Sequence, residues 1–115
     1  EIDAANRAFA QAILDKDMTD ILGAYTKDAC VLAPAIPNNC GTDQIKAFWT
    51  AVVDSNPKNV VIETLAVGSS GDLAHAHGNL IITDATGGVH NNRFVLVFKR
   101  AAGMWKLHLD TWTPN

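Results

Sequence analysis

The chain has 115 residues, a formal net charge of −3 and a hydrophobic fraction of 48%. This describes one domain, residues 1–115, with enough apolar material for a core. Its Lys and Arg are too few and too scattered for nucleic acid, and no apolar run nears the roughly 20 residues of a membrane span. Neither partner is expected, and a cytoplasmic location is. Because the sequence starts at Glu1, a removed leader stays open.

In chain order, Ile2, Ala5, Phe9, Ala12 and Ile13 recur at helical spacing and predict an amphipathic helix over 2–15. Asp17 is placed to cap a second, shorter helix that buries Ile21, Leu22 and Tyr25, with Asp20 in its first turn. Residues 29–33 form a short apolar strand ended by Pro34, and 34–41 a loop. Thr42 is expected to cap a third helix, whose Ile45, Phe48, Trp49, Val52 and Val53 share one face before Asn56-Pro57 stops it. The period then changes to two. Strands are predicted at about 59–68, 73–83, 90–100 and 104–113, with turns at 69–72, 85–88 and 101–103. Three helices followed by an antiparallel meander make an α+β domain with the helices on one sheet face. Cys30 and Cys40 are read as a buried strand residue and a loop residue, with a bridge between them as the alternative.

Several strings in this order carry a resemblance. They are Tyr25-Thr26-Lys27-Asp28-Ala29, Pro34 with Gly41, Ile45-Lys46-Ala47-Phe48-Trp49, the run Gly71 to Gly78, and Gly103-Met104-Trp105-Lys106-Leu107 with Asp110 and Trp112. Over nearly the whole chain the sequence resembles the nuclear transport factor 2-like superfamily, in its SnoaL-like and ketosteroid-isomerase-like branch. It is also similar to the association domain of calcium/calmodulin-dependent kinase II. The resemblance implies a cone-shaped, cystatin-like fold, a pocket at the wide end, and a homodimer built through the sheet. Carried over residue by residue, the steroid isomerase's Tyr position falls on Phe9, its base on Ala33 and its second acid near Leu96. All three are apolar, so that mechanism looks lost. The arginine positions of the association domain become His77, Leu96 and Trp112, which implies that these three face the cavity.

Alternation from those anchors assigns an inward face. It takes His75, His77, Asn79 and Ile81 from one strand, Phe94, Leu96 and Phe98 from the next, and His108, Asp110 and Trp112 from the last, with Tyr25 and Trp49 closing it from the helices. The opposite face takes Ala74, Ala76, Gly78, Leu80, Val95, Val97, Leu107 and Leu109, as an interface between two copies. Asp110 is the sharpest residue. A carboxylate beside Trp112 and Phe98 is poorly solvated, its pKa rises, and it becomes a candidate general base; its plainer role is to hold strand and helices together by hydrogen bonds. His75, His77 and His108 would have to converge to bind zinc, and no flanking motif supports this. No metal and no cofactor is expected. The expected ligand is a small apolar or carbonyl-containing molecule. The expected reaction, if there is one, is an isomerase, cyclase or hydratase-like proton transfer with Asp110 as base and His77, Asn79 or Tyr25 positioning an oxygen. The alternative is a non-catalytic association or accessory domain.

Overall fold

The computed structural model describes residues 1–115. Its elements run α1 (Ile2–Leu14), α2 (Met18–Gly23), β1 (Tyr25–Leu32), β2 (Asn39–Cys40), α3 (Thr42–Asp54), β3 (Asn59–Ser70), β4 (Leu73–Thr83), β5 (Val89–Ala101) and β6 (Met104–Pro114). The strands form one open sheet in the order β2-β1-β6-β5-β4-β3. The predicted meander is present, with β3, β4, β5 and β6 each antiparallel to the next. The sheet as a whole is mixed, because β1 joins it parallel to β6.

The local signals explain most boundaries. Asp17 caps α2 by accepting from the Asp20 backbone N–H at 3.1 Å. Ala102 and Gly103 both have positive φ, 52° and 76°, the two-residue turn whose twist matches the β5–β6 hairpin. Two expectations are corrected. The cap of α3 is Gly41 at φ 82°, with no side-chain bond from Thr42, which is already helical. Tyr25 opens β1 instead of closing α2, because the chain there already pairs with β6: the Leu107 N–H donates to the Ala24 carbonyl at 2.7 Å.

Cys30 and Cys40 are disulfide-bonded. This replaces the reading of two separate thiols. The two residues stand directly opposite each other where β2 folds back on β1, which brings their Cα atoms to 4.1 Å.

The core lies between the helices and the concave sheet face. Ile2, Phe9 and Ile13 of α1, Ile45, Trp49 and Val53 of α3, and Ala74, Ala76, Phe94, Leu96, Phe98 and Leu107 of the sheet are all buried. Asn6 of α1 is buried as well and donates to Thr64 Oγ1 at 2.9 Å. No helix is long and apolar enough to cross a membrane.

Candidate functional site

The residues of β5 set the shape of the interior. Phe94, Leu96 and Phe98 point inward as expected, and across the β4–β5 ladder they pair with Gly78, Ala76 and Ala74. Large side chains on one strand take the room that small ones leave on the next. At Gly78 this is strict: a Cβ would stand 1.9 Å from the Glu63 carbonyl oxygen and 2.9 Å from the Phe94 ring.

This pairing corrects the facing of β4. Ala74, Ala76 and Gly78 are buried and Leu80 half-buried on the inner side, so His75, His77 and Asn79 lie on the outer side. His77 is exposed there, and Asn79 donates to Glu63 Oε1 at 2.8 Å. Neither reaches the interior, and neither can position a ligand oxygen there.

A second correction falls on β6. The β5–β6 register slips between Val97 and Phe98, which pair with Leu109 and Leu107 respectively. His108 is the extra residue of this bulge. Leu107, expected outside, is buried inside, and Asp110 also points in. His108 turns instead towards β1, with Nδ1 at 2.9 Å from Thr26 Oγ1 and 3.7 Å from Asp28 Oδ1. The three histidines once weighed for zinc therefore do not converge. No cluster of three or more His, Cys, Asp or Glu side chains is placed to hold a metal ion.

Asp110 is 5% exposed and sits opposite Leu96 on β5. Its Oδ2 accepts from the Tyr25 hydroxyl at 2.5 Å, and Tyr25 in turn accepts from Trp49 Nε1 at 3.0 Å. The chain Trp49–Tyr25–Asp110 ties α3 to β1 and β6. Asp110 Oδ1 makes no hydrogen bond within the protein, yet it is not sealed off from space. It borders a hollow of about 30 Å³ whose other nine lining residues are all hydrophobic, among them Phe9, Trp49, Leu80, Phe94, Leu96 and Trp112. Phe98 lies deeper and does not line it. Burial pushes the Asp110 carboxyl up to about 6, and the Tyr25 hydrogen bond opposes the rise. Burial and then the Asp110 charge push the Tyr25 hydroxyl well above its ordinary range.

A second hollow of about 60 Å³ adjoins the first, and Ile13, Trp49, Leu80 and Trp112 border both. Trp112 is half-buried, tilted 35° from Trp49 at a centroid distance of 6.5 Å. In this conformation the cone is nearly full of aromatic rings.

The family model for the SnoaL-like domain matches residues 6–108. The chain belongs to the SnoaL-like domain family. No curated protein matches this SnoaL-like chain. Among solved structures, a ketosteroid isomerase-like protein from Erwinia carotovora atroseptica is similar over 98% of this chain and 92% of its own, at 22% identity and a TM-score of 0.83. A nuclear transport factor 2-like protein of unknown function from Pseudomonas putida is similar over 97% of this chain and 82% of its own, at 21% identity and a TM-score of 0.83. A third, from Novosphingobium aromaticivorans and described by its cystatin-like fold, reaches a TM-score of 0.82 at 14% identity, over 97% of this chain and 78% of its own. At these identities the likeness establishes the SnoaL-like, cystatin-like fold; the chemistry has to be argued from the residues.

Proposed function

We propose that this SnoaL-like domain binds a small molecule in the cleft between α1, α3 and the concave sheet face, with Asp110 as its polar anchor. One observation carries the reading: a buried carboxylate presents an oxygen without a protein partner to an apolar hollow. Buried polar groups are nearly always satisfied, so an open one points to a ligand or an ordered water.

A carboxyl near 6 also suits proton transfer of the isomerase, cyclase or hydratase type. Removing a proton next to a carbonyl, however, creates an oxyanion that needs a donor. The Tyr25 hydroxyl and the Trp49 N–H are already engaged with each other and with Asp110. With only the N–H of half-buried Trp112 left as a donor, and no contact aiming it at Asp110, we favour binding over enolate chemistry. A thermal-shift screen with ketones, steroids, polyketide fragments and amines tests it, with Asp110→Asn as the control. A ligand that stabilises the parent and not the variant supports the site. If the two respond alike to every compound, the site is elsewhere.

The second reading, a non-catalytic association domain, is favoured by the size of the hollow. About 30 Å³ is far below the roughly 300 Å³ at which small-molecule sites begin. The outer sheet face suits assembly, since Val95, at 53% exposed, and Leu109, at 37%, lie there beside Val97. We propose that two copies pair through this face. Sedimentation of the parent and of Val95→Glu tests it: a dimer that becomes a folded monomer supports the pairing, and a monomeric parent ends it.

A further inference from the structure

We infer that the Asp110 cleft selects a protonated amine, a small organic ammonium with an apolar body, over a neutral carbonyl compound. This deepens the binding reading above and rests on it.

The open group in the cleft is Asp110 Oδ1, an acceptor when ionised. The nearest donors are spent, the Tyr25 hydroxyl on Oδ2 and the Trp49 N–H on the Tyr25 oxygen. A carbonyl ligand would bring a second acceptor to Oδ1, which stays unpaired, and only the Trp112 N–H would be left to pair the carbonyl oxygen. An ammonium brings the donor that Oδ1 lacks, in a charge-assisted bond.

The walls agree with this. Phe9, Trp49, Phe94 and Trp112 surround the hollow, and Phe9 meets Trp49 edge-on at 5.3 Å. Aromatic faces attract cations, more so where water is excluded. No Lys or Arg lines the cleft, so the carboxylate has no internal counter-ion. Burial already holds its carboxyl up near 6, and a cationic ligand would offset that penalty. Trp112 borders both hollows, and its N–H makes no hydrogen bond within the protein. Turning this indole would join the two spaces, with the charged head at Asp110 and the apolar body against Phe48 and Val52.

The binding is accordingly pH-dependent. The titratable group facing Asp110 is Tyr25 of β1; α1, α3, β3, β4 and β5 present apolar side chains to the hollow. His108, its neighbour on β6, is turned to Thr26 and Asp28.

The test is calorimetric titration of the full chain with phenethylammonium and with two neutral counterparts, phenethyl alcohol and benzylacetone, at pH 7 and pH 5. The ammonium should bind in preference at pH 7 and roughly tenfold more weakly at pH 5, as Asp110 takes up a proton. Asp110→Asn should abolish its binding. Trp112→Phe should leave its pH dependence in place, while a carbonyl relying on the indole N–H would lose affinity. Should Asp110→Asn fail to fold, the parent's pH profile still decides. Benzylacetone binding more tightly than the ammonium, ammonium affinity indifferent to pH, or ammonium binding that survives in Asp110→Asn overturns the amine inference and leaves the cleft as a ligand site. If no probe of either class binds, both readings fall.

Discussion

Tyr25 and Asp110 lie 85 positions apart in sequence, and the Tyr25 hydroxyl donates to Asp110 Oδ2 at 2.5 Å. The bond crosses the parallel β1–β6 pair, and Trp49 extends it to α3. The same carboxylate thus holds three elements together with one oxygen and faces the hollow with the other. One side chain both ties the fold together and borders the hollow.

Asp110 should make stability depend on pH in an unusual direction. Its folded-state pKa of about 6 lies above the ordinary aspartate value of 3.8. The native state therefore holds its proton longer than the unfolded chain, and stability falls as pH rises through the window from about 4 to about 6. The loss at neutral pH is on the order of 3 kcal/mol. Asp110→Asn should lack it, so urea unfolding of the two proteins should diverge in favour of the variant as pH rises from 4 to 7. Parallel profiles would mean that the carboxyl titrates as an ordinary one.

Tyr25→Phe removes a donor from Asp110 and an acceptor from Trp49 in one step. Two buried polar groups lose their partner, at a cost of about 1–3 kcal/mol each. The Asp110 pKa should also rise further, because the lost bond was the influence lowering it. Carboxyl titration followed by NMR, together with denaturant unfolding, checks both effects. A variant as stable as the parent would show that water replaces the hydroxyl.

Gly78→Ala should destabilise the domain by about 3 kcal/mol or more, because the added methyl meets the Glu63 backbone and the Phe94 ring, and the backbone cannot move aside cheaply. Ala76→Gly, in the same strand, should cost only about 1 kcal/mol. Thermal melts of the two variants give the comparison, and equal costs would contradict the tight packing of Phe94 over Gly78.

Reducing the Cys30–Cys40 bridge opens a loop with a sequence separation of 10 and should lower stability by about 2–3 kcal/mol in the chain-entropy account. It should also loosen Gly41 and the start of α3, which follow Cys40 directly. Alkylation mass shifts before and after reductant count the thiols, and hydrogen exchange reads the loosening. Two free thiols in the unreduced protein would remove the premise.

Residue order alone made the helices and the meander legible, because periods of 3.6 and 2 are local properties; the inward facing of β5 and of Asp110 with Trp112 was implied by the resemblance, and Phe94, Leu96, Phe98 and Asp110 are buried there. Tertiary structure decided the facing of β4 and the place of His108. Alternation divides Leu73–Thr83 into two sets without saying which is inside. The facing taken from the resemblance put His75, His77 and Asn79 in, although the small apolar set Ala74, Ala76, Gly78 and Leu80 was the available signal for the reverse. Phe94 and Phe98 settle the matter, since their rings need Gly78 and Ala74 opposite them. At His108 no local signal exists, because a bulge keeps the composition of a strand while shifting its phase. The disulfide and the closure of the cleft are likewise matters of distance in space: β2 must fold back on β1 before two cysteines meet, and Trp49, Phe94 and Trp112 must converge from three elements before the hollow shrinks around Asp110.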